Sequence, residues 1–140
     1  MPAIANMTIN DGKATPVAHT FAPVNIDAAG VAKWADRSGG IALGFPVVTE
    51  SLRMPSNNGG SRNYKLVVKV VVPVLELTSP STATGIQPAP TKAYDLTGNI
   101  EVILPERCAL AERKDLHAFL KNVLSSDPVI AAIERFESTY

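Results

Sequence analysis

Hydrophobic and polar residues alternate through the middle of the chain, and this pattern predicts paired β-strands. The clearest run is RNYKLVVKVVVP, residues 62–73. Successive side chains of a strand point to opposite sides of a sheet, so the run predicts one polar and one apolar face. The polar face would carry Asn63, Lys65, Val67 and Lys69, and the apolar face would carry Tyr64, Leu66, Val68 and Val70.

A second alternating run precedes it, with Thr49, Ser51 and Arg53 on one face. Val48, Glu50 and Leu52 then share the other face. The Asn-Asn-Gly-Gly sequence at residues 57–60 is a strong turn signal between the two runs. The two strands should therefore pair antiparallel, which brings their polar faces together.

The two ends of the chain complete the predicted architecture. A turn at residues 10–12, Asn-Asp-Gly, predicts an N-terminal β-hairpin. After Pro105 apolar residues recur at three- and four-residue spacing, which is typical of an amphipathic helix. Asp127 and Pro128 read as the N-cap and first position of a second helix.

The predicted strands come first in the chain and the predicted helices come last. This order predicts one α+β domain over residues 1–140, with an antiparallel sheet covered by helices. Two short helices are too few to cover the apolar face of five or six strands. We therefore expect a second copy of the chain to supply the missing cover in a homodimer.

The charged residues are unevenly distributed along the chain. The 140 residues carry 13 basic and 13 acidic side chains, so the net charge of zero argues against a globally basic nucleic-acid binder. Residues 51–75, however, contain four bases and no acid: Arg53, Arg62, Lys65 and Lys69. The sequence lacks a signal-peptide core and any apolar run of membrane-spanning length, so no membrane partner is expected and folding should occur in the cytosol.

Catalytic and metal-binding patterns are missing from the sequence. The two histidines, His19 and His117, have no metal-like neighbour at helical spacing, and no nucleotide-binding or nucleophile motif occurs. The single cysteine, Cys108, excludes an internal disulfide. We expect no cofactor and no enzymatic activity, and we expect the lone Trp34 to be a buried anchor.

The remaining feature is the polar face of the predicted sheet. Lysine and arginine neutralise phosphates, Asn, Ser and Thr can hydrogen-bond base edges, and a tyrosine ring can stack on an unpaired base. The candidate RNA-binding residues are Thr49, Ser51, Arg53, Asn63, Lys65, Lys69 and Tyr94. A plain solvated sheet face is the alternative interpretation.

At these residues the sequence resembles the coat proteins of the small single-stranded RNA bacteriophages, the levivirus type. The matching stretches follow the family order over nearly the whole chain. They are GVAKW (30–34), TESLR (49–53), RNYKLVVKVVVP (62–73), KAY (92–94) and LKNVLSSDPVIAAIERFESTY (120–140).

The resemblance implies an N-terminal β-hairpin, a five-stranded antiparallel sheet and two C-terminal helices that clasp the partner chain. It implies an intertwined dimer with a continuous sheet, and dimers that assemble in the bacterial host cytoplasm into an icosahedral virion shell around single-stranded RNA. It also implies binding of a genomic RNA stem-loop, which represses translation of the replicase and marks the genome for packaging.

The resemblance further assigns roles to particular residues. Val31, Thr49, Ser51 and Lys69 would form adenine pockets; Arg53, Asn63 and Lys65 would contact the hairpin backbone and loop; Tyr94 would stack on a loop base. Val67 and Leu96 depart from the family, which has polar residues at these positions. A non-capsid dimeric RNA-binding protein that uses the same sheet is the alternative to a shell protein, and a small enzyme is a third reading.

Overall fold

A computed structural model describes residues 3–56, 62–79, 83 and 85–140. Within these ranges the chain forms six β-strands, a short 3-10 turn at Ala42–Gly44 and two α-helices. The strands are β1 (Met7–Asn10), β2 (Ala18–Ile26), β3 (Val31–Asp36), β4 (Val47–Arg53), β5 (Asn63–Leu75) and β6 (Lys92–Pro105). The helices are α1 (Leu110–Leu124) and α2 (Asp127–Arg135).

The strands form one sheet in chain order, from β1 at one edge to β6 at the other. Each pairing from β1 through β5 is antiparallel. The predicted α+β class is confirmed, but the strand count differs. The N-terminal hairpin joins the main sheet because β2 also pairs with β3, so the described sheet has six strands and not five beside a hairpin.

Asp11 closes the N-terminal hairpin. Its carboxylate accepts backbone hydrogen bonds from Val17 at 2.9 Å and from Lys13 at 3.3 Å. An aspartate side chain that bonds nearby backbone N–H groups stabilises a turn without help from the sheet. The predicted hairpin is confirmed, with a connection that extends over residues 11–17.

The two strands of the second predicted hairpin are confirmed. β4 pairs antiparallel with β5, and Thr49 lies opposite Lys69. The predicted turn at residues 57–60 lies outside the described residues.

The apolar core lies on one face of the sheet. Its buried members are Phe21, Trp34 and Val48, and the partly buried residues packed against them are Ile4, Met7, Ala32, Val68 and Val70. Cross-strand pairing aligns Trp34 with Val48 and Val48 with Val70, so three neighbouring strands contribute to the same cluster. Trp34, expected to be a buried anchor, is 6% exposed, and its indole N–H donates to the Ala5 carbonyl at 2.9 Å.

Contacts divide the chain into two compact units. One unit contains Met1–Pro55 and Tyr64–Ile103, and the other contains Ser56–Asn63 and Leu104–Tyr140. The expectation of one domain over residues 1–140 stays a prediction. No helix in the described residues has the length and hydropathy needed to cross a membrane.

The second unit contains both helices. The Glu112 carboxylate accepts the Ala109 backbone N–H at 2.7 Å and caps the start of α1. Helix α2 begins at Asp127 with Ser126 as its N-cap, one residue earlier than the sequence predicted. Pro128 still lies in the first turn, where its missing N–H costs no hydrogen bond.

His19 joins the N-terminal hairpin to β3 through a carboxylate pair. Its Nδ1 lies 2.7 Å from Asp36 Oδ2, and its Nε2 lies 3.4 Å from Asp11 Oδ2. The pKa of Asp36 is lowered although the residue is buried, because its carboxylate accepts hydrogen bonds from the backbone N–H of Ser38 and then from His19. Asp36 and then Asp11 raise the pKa of His19 by hydrogen bonding to its charged form.

This cluster predicts that the hairpin is held more firmly at mildly acidic pH. Because the pKa of His19 is raised in the folded protein, its protonated form stabilises the fold at pH values below the ordinary pKa of about 6.5. This stabilisation is lost as the pH rises through the pKa of the folded protein. Amide hydrogen exchange in residues 7–26, corrected for intrinsic rates, should therefore show less protection at pH 9 than at pH 6.

His19→Gln should abolish this pH difference, whereas His117→Gln, a change to the exposed histidine of α1, should preserve it. Equal corrected protection at both pH values in the unmodified protein would contradict the assignment.

Candidate nucleic-acid interface

The polar face of the sheet is built by the register of three central strands. In β3 and β4, Lys33 lies opposite Thr49 and Val31 lies opposite Ser51. In β4 and β5, Thr49 lies opposite Lys69, Ser51 opposite Val67 and Arg53 opposite Lys65. Directly opposed residues share a face, so the predicted convergence of the two polar faces is confirmed.

Three cross-strand rows follow from this register. One row contains Val31, Ser51 and Val67, so a hydroxyl lies between two branched apolar side chains. The adjoining row contains Lys33, Thr49 and Lys69, so a second hydroxyl lies between two cations. The third row pairs Arg53 with Lys65.

The hydroxyl and valine side chains of this face are less exposed than most of its cations, although Lys65 is also half-buried. Thr49, Ser51 and Val67 are half-buried, whereas Arg53 and Lys69 are exposed. A ligand that approaches the face would therefore meet charged groups first and reach the hydroxyls between them. Such a surface suits a polyanion that also carries flat rings. The cations can bind its phosphates, and the valine side chains can contact the face of a base.

Lys65 differs from the other cations because it has an acidic partner. Its Nζ lies 2.9 Å from Glu101 Oε2 on β6, with side chains that are 42% and 49% exposed. An ion pair this open contributes little to stability, but it partly compensates the lysine charge. A phosphate bound at Lys65 would also approach the carboxylate of Glu101.

Two predicted site residues are not aligned by these cross-strand pairs. Asn63 is the first residue of β5 and belongs to the second compact unit, whereas the other seven belong to the first. Tyr94 is the third residue of β6, the strand next to β5, and is 57% exposed. Val31, Thr49, Ser51, Arg53, Lys65 and Lys69 are brought together on adjacent strands.

The sequence reading missed Lys33, which lies on the polar face opposite Thr49. The signal was present, because Lys33 and Val31 are two residues apart in one strand and must share a face. It was overlooked because only Val31 of the GVAKW stretch was assigned a role. The charge compensation of Lys65 by Glu101 gave no signal in the sequence, because it depends on the pairing of two distant strands.

The described residues contain no group of three or more His, Cys, Asp or Glu side chains arranged to hold a metal ion. The side chains that the strand register brings to the polar face are cations, hydroxyls and branched apolar groups.

Comparison with known proteins gives consistent results. The sequence matches the family described as Levivirus coat protein over residues 2–140. The solved virus-like particle of bacteriophage ESE058 is 33% identical with a TM-score of 0.90, over 99% of this chain and 100% of that chain. The virus-like particle of Beihai levi-like virus 21 is 29% identical with a TM-score of 0.83, over 99% of both chains.

A more distant structure, an unassembled virus coat protein dimer described as a bacteriophage RNA-binding dimer, has the same fold. It is 20% identical with a TM-score of 0.65, over 98% of both chains. Comparison with curated protein sequences found no match. The match to the family over nearly the whole sequence and the 33% identity to a phage particle protein show that the chain belongs to the Levivirus coat protein family.

Proposed function

We propose that the protein assembles as homodimers into an icosahedral shell around single-stranded RNA and binds that RNA through the polar face of its sheet. The observation that carries the proposal is the division of β3, β4 and β5 into two faces. One face carries Lys33, Arg53, Lys65 and Lys69, and the other carries Trp34 and Val48 in the apolar core.

Exposed apolar surface on the helices supports the dimer. Neither α1 nor α2 contains a buried residue among the described residues, although both are amphipathic in sequence. Phe119 is 66% exposed, Ile133 65% and Phe136 93%. Exposed apolar patches of this kind mark protein interfaces, and a second copy of the chain is the occupant that the family fold favours.

The open edge of the sheet supports the same arrangement. β6 is an edge strand of 14 residues, and all of them except Val102 and Leu104 are exposed. A long edge strand presents unpaired N–H and C=O groups that can pair with another chain. Pairing of β6 with β6 of a second copy would create one continuous sheet and extend the polar face across the dimer.

Specific recognition of an RNA stem-loop is the finer part of the proposal. The row of Val31, Ser51 and Val67 offers an apolar surface and one hydroxyl to a base, and Tyr94 offers a ring for stacking. A genomic stem-loop bound here would repress replicase translation and direct packaging. Because Val67 adds no hydrogen bond, Ser51 would be the only side-chain hydrogen-bonding group of this row.

Electron microscopy of the protein expressed in bacteria tests the assembly. We expect closed particles of uniform size that contain RNA and form in the host cytoplasm. Phe136→Asp should reduce particle yield, because a charge at a 93% exposed apolar residue would oppose burial against a partner. Glu137→Gln, an adjacent change at an exposed position, is the matched control.

A soluble dimer that binds RNA and never forms particles would favour the non-capsid alternative. A stable monomer under native conditions would contradict both.

Tyr94→Ala should weaken stem-loop binding by about 1–3 kcal/mol, because base stacking on an aromatic ring contributes that amount. The RNA probe is a stem-loop selected by the unmodified protein from a pool with a randomised loop, and binding is measured by filter retention. Tyr94→Phe keeps the ring and should bind normally. Equal affinity of Tyr94→Ala and the unmodified protein, with the dimer intact, would remove Tyr94 from the site.

A further inference from the structure

The polar face has a cation that neither the sequence reading nor the family resemblance assigned to RNA. Lys33 lies opposite Asn25 on one side and Thr49 on the other, and Thr49 lies opposite Lys69. A row of Asn25, Lys33, Thr49 and Lys69 therefore crosses four strands. It contains two amino groups, one amide and one hydroxyl, and no acid.

Strand spacing sets the size of this row. Neighbouring strands are about 4.8 Å apart, so the backbones of β3 and β5 lie about 10 Å apart with β4 between them. Both lysines have long flexible side chains with three donors at the tip. Their amino groups can converge on one anion above the shorter side chain of Thr49.

The positive charge of this row is not compensated by the acidic side chains of the neighbouring strands. Glu50 pairs with Ala32 and Val68, which places it on the opposite face of the sheet. Asp36 also lies on that opposite face, where it bonds His19. Neither Lys33 nor Lys69 forms an ion pair with any described residue, whereas Lys65 pairs with Glu101.

We propose that Lys33 and Lys69 together bind a backbone phosphate of RNA above Thr49, and that this lysine pair, and not Lys65, is the main electrostatic anchor of the face. The inference rests on the proposed RNA-binding function. Its physical reason is that a phosphate at Lys33 and Lys69 meets two uncompensated cations. A phosphate at Lys65 must compete with the carboxylate of Glu101.

Salt dependence of binding measures this contact directly. Each neutralised phosphate makes the slope of log affinity against log salt concentration more negative by roughly 0.7–0.9. The double variant Lys33→Ala/Lys69→Ala should therefore reduce the magnitude of the slope by that amount with the selected stem-loop as probe, and Lys33→Ala alone should reduce it by part of that amount. The affinity ratio between unmodified protein and the double variant should then shrink about threefold between 50 and 200 mM salt.

Matched variants separate a local contact from a change in net charge. Lys13→Ala removes one positive charge at the turn between β1 and β2, away from the polar face, and should leave the slope unchanged. Lys33→Arg keeps the cation and should restore the slope. Lys65→Ala should lower the slope less than Lys33→Ala does.

A gain-of-binding variant tests the compensation of Lys65. Glu101→Gln removes the acidic partner and should increase both affinity and salt slope. Glu106→Gln makes the same charge change at an ion pair with Arg62 and should have a smaller effect. Equal effects of the two substitutions would show that net charge alone is responsible and would contradict the proposed role of Glu101.

The outcomes distinguish this inference from the proposed function. If the unmodified protein fails to bind any RNA in the pool, the proposed RNA-binding function fails. If the unmodified protein binds and Lys33→Ala keeps the full salt slope with the dimer intact, only the role of Lys33 is overturned.

Discussion

The antiparallel register of β3, β4 and β5 is the constraint on which the two faces of the protein depend. It aligns Trp34 with Val48 and Val70 on the apolar face, and Lys33 with Thr49 and Lys69 on the polar face. A slip of one residue in either pairing would exchange the two faces of a strand and place lysine in the core. Burial of Trp34 and Val48 therefore also determines where the cations lie.

The chain presents unpaired apolar surface in both compact units. The buried cluster is small, with Phe21, Trp34 and Val48 as its members, and the described helices bury none of their residues. The long edge of β6 is likewise open. These features are consistent with a coat protein, because folding and assembly would then be coupled, and the same apolar surface that a monomer leaves exposed would hold the dimer together.

Much of the fold could be predicted from the sequence because strand alternation and helical spacing are local signals. Residues 47–53 and 63–70 alternate closely enough to give both faces, and the turn signal at residues 57–60 gave their antiparallel pairing. Two details were wrong for local reasons. The sheet has six strands because β2 pairs on both of its sides, and α2 starts one residue early because Ser126 takes the N-cap position.

The candidate site was predicted less completely because its electrostatics depend on contacts between distant strands. Glu101 and Lys65 are 36 positions apart in the sequence, and only the sheet brings them together. The bond between His19 and Asp36 has the same origin. Family likeness identified Val31 in the GVAKW stretch but gave no reason to consider Lys33, whose importance comes from its register with Thr49.

Cryo-electron microscopy of RNA-containing particles expressed from this sequence would show which face of the sheet meets RNA. We expect RNA density against the face of β3, β4 and β5 that carries Lys33, Thr49 and Lys69, and helices of a second chain over the apolar face. RNA density against the apolar face, or particles whose polar face meets only protein, would contradict this expectation.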